Sequence, residues 1–334
     1  MPIKSYKEAI NEAIAQEMKK DENVILIGED VAGGAGTNGE QDAWGGVMGV
    51  TKGLLGQFGR ERIIDTPITE TAILGMASGA ALTGLRPIAE LMFVDFMGVC
   101  FDQILNQTAK FRYMFGGKAI TPLTIRTMYG GGVRAASQHS QCLYPIFTHV
   151  PGIKVVIPSG PYEAKGLLIK SIRDNDPVIF LEHKAMYDVT EDVPDESYTI
   201  PFGEANFTRE GKDITLIGMG KTVSLCNNAA DLLKKDGVHA TVLDLRTLSP
   251  LDEDSILESV EETGRAIIVD ESSPRCNIAT DISALICDKS FSYLKAPIKM
   301  ISPPHTPVPF SPVLEDIYMP DEQTIITTAK KILN

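Results

Sequence analysis

Hydrophobic positions along the chain follow two alternating spacings. Behind Ser5, the residues Tyr6, Ile10, Ala13, Ile14 and Met18 recur at helical intervals, and Glu8 completes a capping box with Ser5, so a helix opens the chain. NVILIG (23–28) is a short, nearly continuous apolar run, the pattern of a strand covered on both faces. Eight of the residues from 30 to 53 are glycine, too many for the interior of an element, which predicts a long surface loop around Trp44. The two spacings then alternate: strand RIID, a helix from Glu70, strand RPIAELMF, a helix over 95–115, strand TPLTIRT, a turn at Gly130-Gly131-Gly132, strand KVVIP, helix YEAKGLLIKSIRD and strand PVIFLEH. Strands that alternate with helices predict a mostly parallel sheet with helices on both faces.

From Lys184 to Thr208 the chain turns to Asp, Glu, Pro and Tyr without a sustained period, which reads as a crossing between domains. A second α/β series follows: DITLIG, a helix over 223–235, HATVLDL, a helix over 252–262, RAIIVDE, a helix over 278–290 and PIKMIS. Pro-rich PPHTPVPFSP then leads to a last helix over 321–333. The fold class expected is α/β in two domains, 1–190 and 205–334, each a mostly parallel sheet covered on both faces.

Length agrees with this division, because 334 residues exceed what one core usually organises. Charge narrows the function. The formal net charge of −13 repels nucleic acid phosphates and anionic lipid, so neither partner is expected. Five cysteines without a CxxC pair suit a reducing compartment, the N-terminal segment is an amphipathic helix rather than a leader, and the most apolar stretch, 71–85, is too short to span a bilayer. A cytoplasmic protein is expected.

Several segments carry candidate chemistry. LIGMGKTV places Gly218 and Gly220 between a strand and a helix. The third position of a dinucleotide fingerprint holds Val223, and the first glycine of a phosphate-binding loop falls on Thr215, so an ordinary strand-to-helix turn is favoured over a nicotinamide site with Asp244. No HExxH or GxSxG pattern occurs. In DTPITE (65–70), Glu70 opens a helix that is small and apolar all round. It serves either as a carboxylate at the positive end of the helix dipole or, if the helix is buried, as an acid able to exchange a proton with a bound base. His139, in AASQHSQ beyond the triple-glycine turn, is either a surface histidine or a proton shuttle at the mouth of a site. Phe93 and Phe96 read as core aromatics on residue chemistry alone.

Taken together, GED (28–30), DTPITE, GLRPIAELMF, AASQHSQ, HVPGIKVVIPS, IRDNDPVIFLEH, LDLRTLSPLD and PHTPVPF resemble, over essentially the whole chain, the β subunits of thiamine diphosphate-dependent 2-oxo acid dehydrogenases. The resemblance implies a pyrimidine-binding domain followed by a transketolase C-terminal domain. It places Glu70 on the glutamate that bonds N1′ of the aminopyrimidine, Phe96 on the aromatic that stacks on that ring, and Ile68 and Met92 on the lining positions. It places His139 on a histidine at the site's mouth that orients substrate or the incoming lipoyl arm. Leu123, Ser171, Ile172, Asp174 and Asp176 fall where relatives bind a structural potassium ion, with Asp176 in place of a common Asn. The family's GDG…N motif for Mg²⁺ and diphosphate is missing from the sequence, so the resemblance implies an α subunit that supplies that half in an α2β2 heterotetramer. The glycine-rich loop and the stretch 91–119 look most like the acetoin-cleaving branch. That branch converts acetoin to acetaldehyde and passes a hydroxyethyl fragment, oxidised to acetyl, to lipoamide on a dihydrolipoyl acyltransferase core. Pyruvate or a branched-chain 2-oxo acid is the alternative substrate. The acidic C-terminal domain is expected to dock a basic module of the acyltransferase.

Overall fold

The computed structural model describes residues 2–33 and 45–333. Residues 34–44, with Trp44 and much of the expected glycine-rich loop, lie outside that description. The chain divides into two compact units, one of residues 1–129, 146–156 and 160–202, the other of 130–145, 157–159 and 203–334. The second unit therefore takes in two short segments from the first half of the chain, which no composition shift announces.

In the first unit, β1 (Ile3–Ser5) leads into α1 (Tyr6–Lys20), and the predicted capping box is present. There follow β2 (Val24–Glu29), the short α2 (Leu54–Phe58), β3 (Ile63–Thr66), α3 (Glu70–Leu82), β4 (Arg86–Phe93), the short α4 (Phe111–Met114) and β5 (Thr124–Tyr129). Then come α5 (Tyr144–Thr148), which begins in the 130–145 segment, β6 (Lys154–Val156), α6 (Pro161–Arg173), β7 (Val178–His183) and β8 (Thr190–Asp192). Six strands lie in the order β6-β7-β5-β4-β2-β3, and every pair is parallel. Both faces are covered, as the unbroken apolar runs require. Val24, Leu26, Ile88, Val178 and Phe180 join one core cluster with residues of α1 and α6, while the intervening Ile25, Ile27, Ala89, Ile179 and Leu181 are buried toward the other layer.

Three expectations change in this unit. The helix foreseen over 95–115 is a 3₁₀ turn (Val94–Gly98), a π-helical turn (Gln103–Thr108) and α4. Packing on α3 shapes it: Thr71 Oγ1 donates to Val99 O at 2.8 Å, and the Ser78 and Thr108 hydroxyls share a 2.5 Å hydrogen bond. The crossing read after Lys184 begins inside the first unit, where β8 pairs antiparallel with β1. Helix α3 is not buried all round. Ile73, Leu74, Ala77, Ser78 and Ala81 are buried, whereas Thr71, Ala72, Gly75, Met76 and Gly79 form an exposed, mostly apolar face. A helix without a polar face has no preferred side for water, so only neighbouring chain decides which stripe is covered.

The second unit contains β9 (Asn206–Arg209), β10 (Ile214–Gly218), α7 (Lys221–Lys235), β11 (Ala240–Asp244), β12 (Thr247–Ser249) and α8 (Glu253–Thr263). It continues with β13 (Ala266–Val269), α9 (Ile278–Lys289), β14 (Lys299–Ile301), α10 (Pro312–Tyr318) and α11 (Glu322–Leu333). Its sheet runs β14-β13-β10-β11-β9, with β9 alone antiparallel. Helices α7 and α11 bury Cys226, Leu233, Ile325 and Ala329 against one face, and α8 meets the other through Thr215, whose hydroxyl donates to Ser259 O at 2.8 Å. Helix α10 was not foreseen: the proline-rich lead-in hides it, although Pro312 suits the first turn of a helix.

Candidate functional site at the strand ends of the first unit

Because β2, β3 and β4 are parallel, their carboxyl ends share one edge, the place where ligands enter open α/β sheets. Register brings Gly28 beside Asp65 and Glu29 beside Thr66. Gly28 is required here, since a Cβ would stand 2.9 Å from Glu90 Cβ and 3.0 Å from Val31 Cγ1. Pro67 ends β3 and Glu70 begins α3, whose cap residue Thr69 makes no side-chain cap. Glu70 is half-buried, and Ile68 beside it is 75% exposed. Met92 is buried at the end of β4, and Phe96 meets Phe93 edge-on with ring centroids 5.6 Å apart.

The edge is acidic. Burial, reinforced by Asp30 and Glu70, pushes the Glu29 carboxyl above its ordinary range. Burial and then Glu70 push the Cys100 thiol up to about 12. Asp65 Oδ1 accepts from Ala32 N at 2.5 Å, but its Oδ2 and Thr66 Oγ1 are buried without a hydrogen-bond partner among the described residues. Unmet polar atoms beside a carboxylate, an aromatic ring and an uncovered aliphatic side chain suit an aminopyrimidine, a flat heterocycle with ring nitrogens to bond and two faces to cover. Glu70, Ile68, Met92 and Phe96 therefore belong to one edge of one unit, and they fit the group that the sequence implied.

Sequence reasoning missed the support beneath this edge. Arg126, on β5 and 2% exposed, forks onto Glu182 at 2.6 and 2.8 Å and reaches Glu90 at 2.9 Å, and Tyr187 Oη donates to Glu182 at 2.7 Å. Burial, with Glu182 nearby, outweighs Arg126 and raises the Glu90 carboxyl. The one available signal was an arginine in the middle of an apolar strand, which demands acidic partners.

His139 lies in the second unit, half-buried, in a segment whose turn is closed by its own N–H donating to Ala136 O at 3.4 Å. The proposed potassium positions are satisfied by this chain's own donors. Leu123 O accepts from Val178 N and Ser171 O from Asp174 N, while Ile172 O and Asp174 O accept from the Arg86 guanidinium at 3.2 and 3.0 Å. The Asp174 carboxylate pairs with Lys154 at 2.6 Å, and Asp176 pairs with Arg112 and Lys154. Arg86, Arg112, Lys154 and, at 3.6 Å from Asp174, Lys170 thus supply the charge that an ion would bring, and the arrangement does not fit potassium.

Comparison with known proteins decides the family. Residues 4–190 match the transketolase pyrimidine-binding domain, and residues 203–325 match the transketolase C-terminal domain. This chain belongs to the transketolase-like family of thiamine diphosphate enzymes. Within the family it is 62% identical to the acetoin:2,6-dichlorophenolindophenol oxidoreductase subunit beta of Cupriavidus necator, over 98% of this chain and 97% of that one. It is 60% identical to the subunit of the same name from Bacillus subtilis (98% and 97% covered), and 45% identical to the pyruvate dehydrogenase E1 component subunit beta of Bacillus subtilis (98% and 97%). Among solved structures, a split-gene transketolase described as an inactive beta4 tetramer shares the fold, with a TM-score of 0.77 at 19% identity over 98% of both chains. The two-domain transketolase-like architecture read from the sequence is thus the family's own.

Proposed function

We propose that this chain is the β subunit of an acetoin dehydrogenase, acting in the cytoplasm with an α subunit in an α2β2 assembly that feeds a dihydrolipoyl acyltransferase core. The observation that carries the reading is Glu70, a half-buried carboxylate at the first residue of α3 beside uncovered Ile68, in an edge with unmet buried polar atoms. Thiamine diphosphate, when bound, would supply a nucleophilic carbon and an electron sink, the chemistry needed to split acetoin into acetaldehyde and an acetyl group delivered to lipoamide, whose disulfide is reduced. Glu70 would hold the proton shared with N1′ of the pyrimidine. Phe96 covers one face of the ring, Met92 and Ile68 line the slot, and together they exclude water. Magnesium and the diphosphate are assigned to the α subunit, because this chain has no GDG motif. The exposed apolar face of α3, adjoining Glu70, supports a partner chain there. His139 is assigned to guiding substrate or the lipoyl arm.

The substrate assignment rests on the higher identity to the acetoin oxidoreductase subunits. Co-expression with the α subunit, followed by dye reduction driven by acetoin or by pyruvate, tests it. Faster turnover of acetoin is expected, and faster turnover of pyruvate would make this a pyruvate dehydrogenase subunit.

A further inference from the structure

The segment from Gly130 to Leu143 contains no helix or strand, so its shape depends on what accepts hydrogen bonds from it. Two acids of the second unit do so at its glycine end. Glu271 Oε1 accepts from Gly131 N at 2.8 Å. Glu315, on α10, accepts from Gly132 N at 2.8 Å and Arg134 N at 3.2 Å, and its carboxylate also takes the Arg134 guanidinium at 2.7 Å. At the far end, Asp270 accepts from the Tyr144 hydroxyl at 2.5 Å. Between these anchors the backbone takes the left-handed region at Arg134 (φ 61°) and Ala136 (φ 62°), conformations that residues with a Cβ adopt only when their surroundings impose them. His139 follows three residues later.

Helix α10 is built around this contact. Val313, Leu314 and Ile317 point to solvent at 68, 56 and 76% exposure, and Glu315 is its sole buried residue, fully enclosed. A helix that buries its carboxylate and exposes its aliphatics is not held by an apolar face. Its polar attachment is the charge-assisted hydrogen bonding of Glu315 to the glycine turn and Arg134, with Asp316 adding a 2.6 Å pair to the same guanidinium and Met319, just past the helix, lying against Gly131.

We propose that Glu315 is a positioning residue: its buried carboxylate sets the backbone of 131–136 and so places His139 for the reaction. The proposal rests on the role assigned to His139 above, and its test separates the two. In the assembled α/β protein, Glu315→Gln keeps the side chain's shape but removes its charge. Amide hydrogen exchange across 131–140 is expected to quicken about tenfold while α1, α6 and the sheets stay protected. The loss in kcat/KM for acetoin, also about tenfold, is expected to vanish in a His139→Ala background, because both variants would act through one side chain. Unchanged exchange overturns the positioning role, and losses that multiply in the double variant overturn its action through His139. Full activity in His139→Ala alone, with exchange quickened by Glu315→Gln, removes the role of His139 and leaves the loop assignment standing. Should Glu315→Gln fail to assemble, Arg134→Gln removes one limb of the contact, and unchanged exchange there overturns the proposal equally.

Discussion

The two units are built on one plan, a parallel sheet with glycine-bearing turns at its carboxyl edge, yet their edges differ in how completely their polar groups are satisfied. In the second unit the acids at the strand ends are consumed internally. Asp244, at the end of β11, accepts from Ser159 Oγ at 2.5 Å and Arg246 N at 3.0 Å. Asp270, just beyond β13, accepts from Tyr144, from Ser272 N and Oγ at 2.8 and 2.7 Å, and from Ala279 N at 3.1 Å. The turn after β10 closes on itself, with Met219 N on Thr222 Oγ1 at 2.9 Å and Val223 N on Gly220 O at 3.2 Å. Gly218 is there because a Cβ would stand 3.0 Å from Val223 backbone, so the glycine answers to packing rather than to a dinucleotide. In the first unit the corresponding edge leaves Asp65 Oδ2 and Thr66 Oγ1 unmet among the described residues and sets Glu70 beside uncovered apolar surface. Among the acids compared, those at the first unit's edge leave acceptors open to a ligand and those at the second unit's edge are spent on structure.

Substitutions can break this contrast. The largest effect is expected from Glu70→Ala, which should lower acetoin-dependent dye reduction about 10²–10⁴-fold with the melting temperature nearly unchanged, since Glu70 has a proton to hold and little structure to support. Retention of activity within tenfold would return Glu70 to the role of a helix-end charge. Arg126→Met should cost about 3–5 kcal/mol in denaturant unfolding, because it leaves Glu90 and Glu182 buried without their cation. Asp270→Asn should cost about 1–3 kcal/mol and leave cofactor affinity unchanged, as expected of an acid spent on structure. An altered cofactor affinity in that variant would mean that the second unit's edge is not closed.

Two smaller effects sharpen the contrast. Phe96→Ala should weaken cofactor binding about two- to tenfold, equivalent to the ~0.5–1.5 kcal/mol of an aromatic contact, as titrated by quenching of intrinsic fluorescence in the assembled protein. Glu90→Gln bears on pH. A carboxyl raised in the folded state binds its proton more tightly there than in the unfolded chain, so its contribution to stability falls as pH rises above the ordinary 4.5. The Gln variant, which mimics the protonated form, should gain on the parent as pH rises above 4.5. A difference independent of pH would show that Glu90 keeps its charge throughout.

The parts of this molecule that were legible before folding are those set by local chemistry. The capping box at Ser5, the unbroken apolar runs of β2, β7 and β10, and the start of α3 at Glu70 follow from spacing and backbone preferences, which neighbouring residues carry with them. The acid at Glu70 was visible, but its placement on one edge with Glu29, Met92 and Phe96 was not, because these residues end or follow β3, β2 and β4, whose order in the sheet is not their order in the chain. The break of 94–114 into 3₁₀, π and α turns was hidden for the same reason, since contacts with α3 reshape it.

By itself, then, the sequence determined a two-domain α/β chain, its helix starts, and the family whose motifs it carries, since these depend on residues close together or on motifs in order. Tertiary structure alone decided which groups were spent and which were left over. It put Arg86 and Lys154 on the oxygens that a potassium ion would have used, placed the Arg126 cluster under the site, and gave α10 an enclosed acid with its aliphatics outside. The physical reason is that satisfaction of a buried polar group depends on partners far along the chain, 183 residues away for Gly132 and Glu315, and the chain must close before any such pair exists.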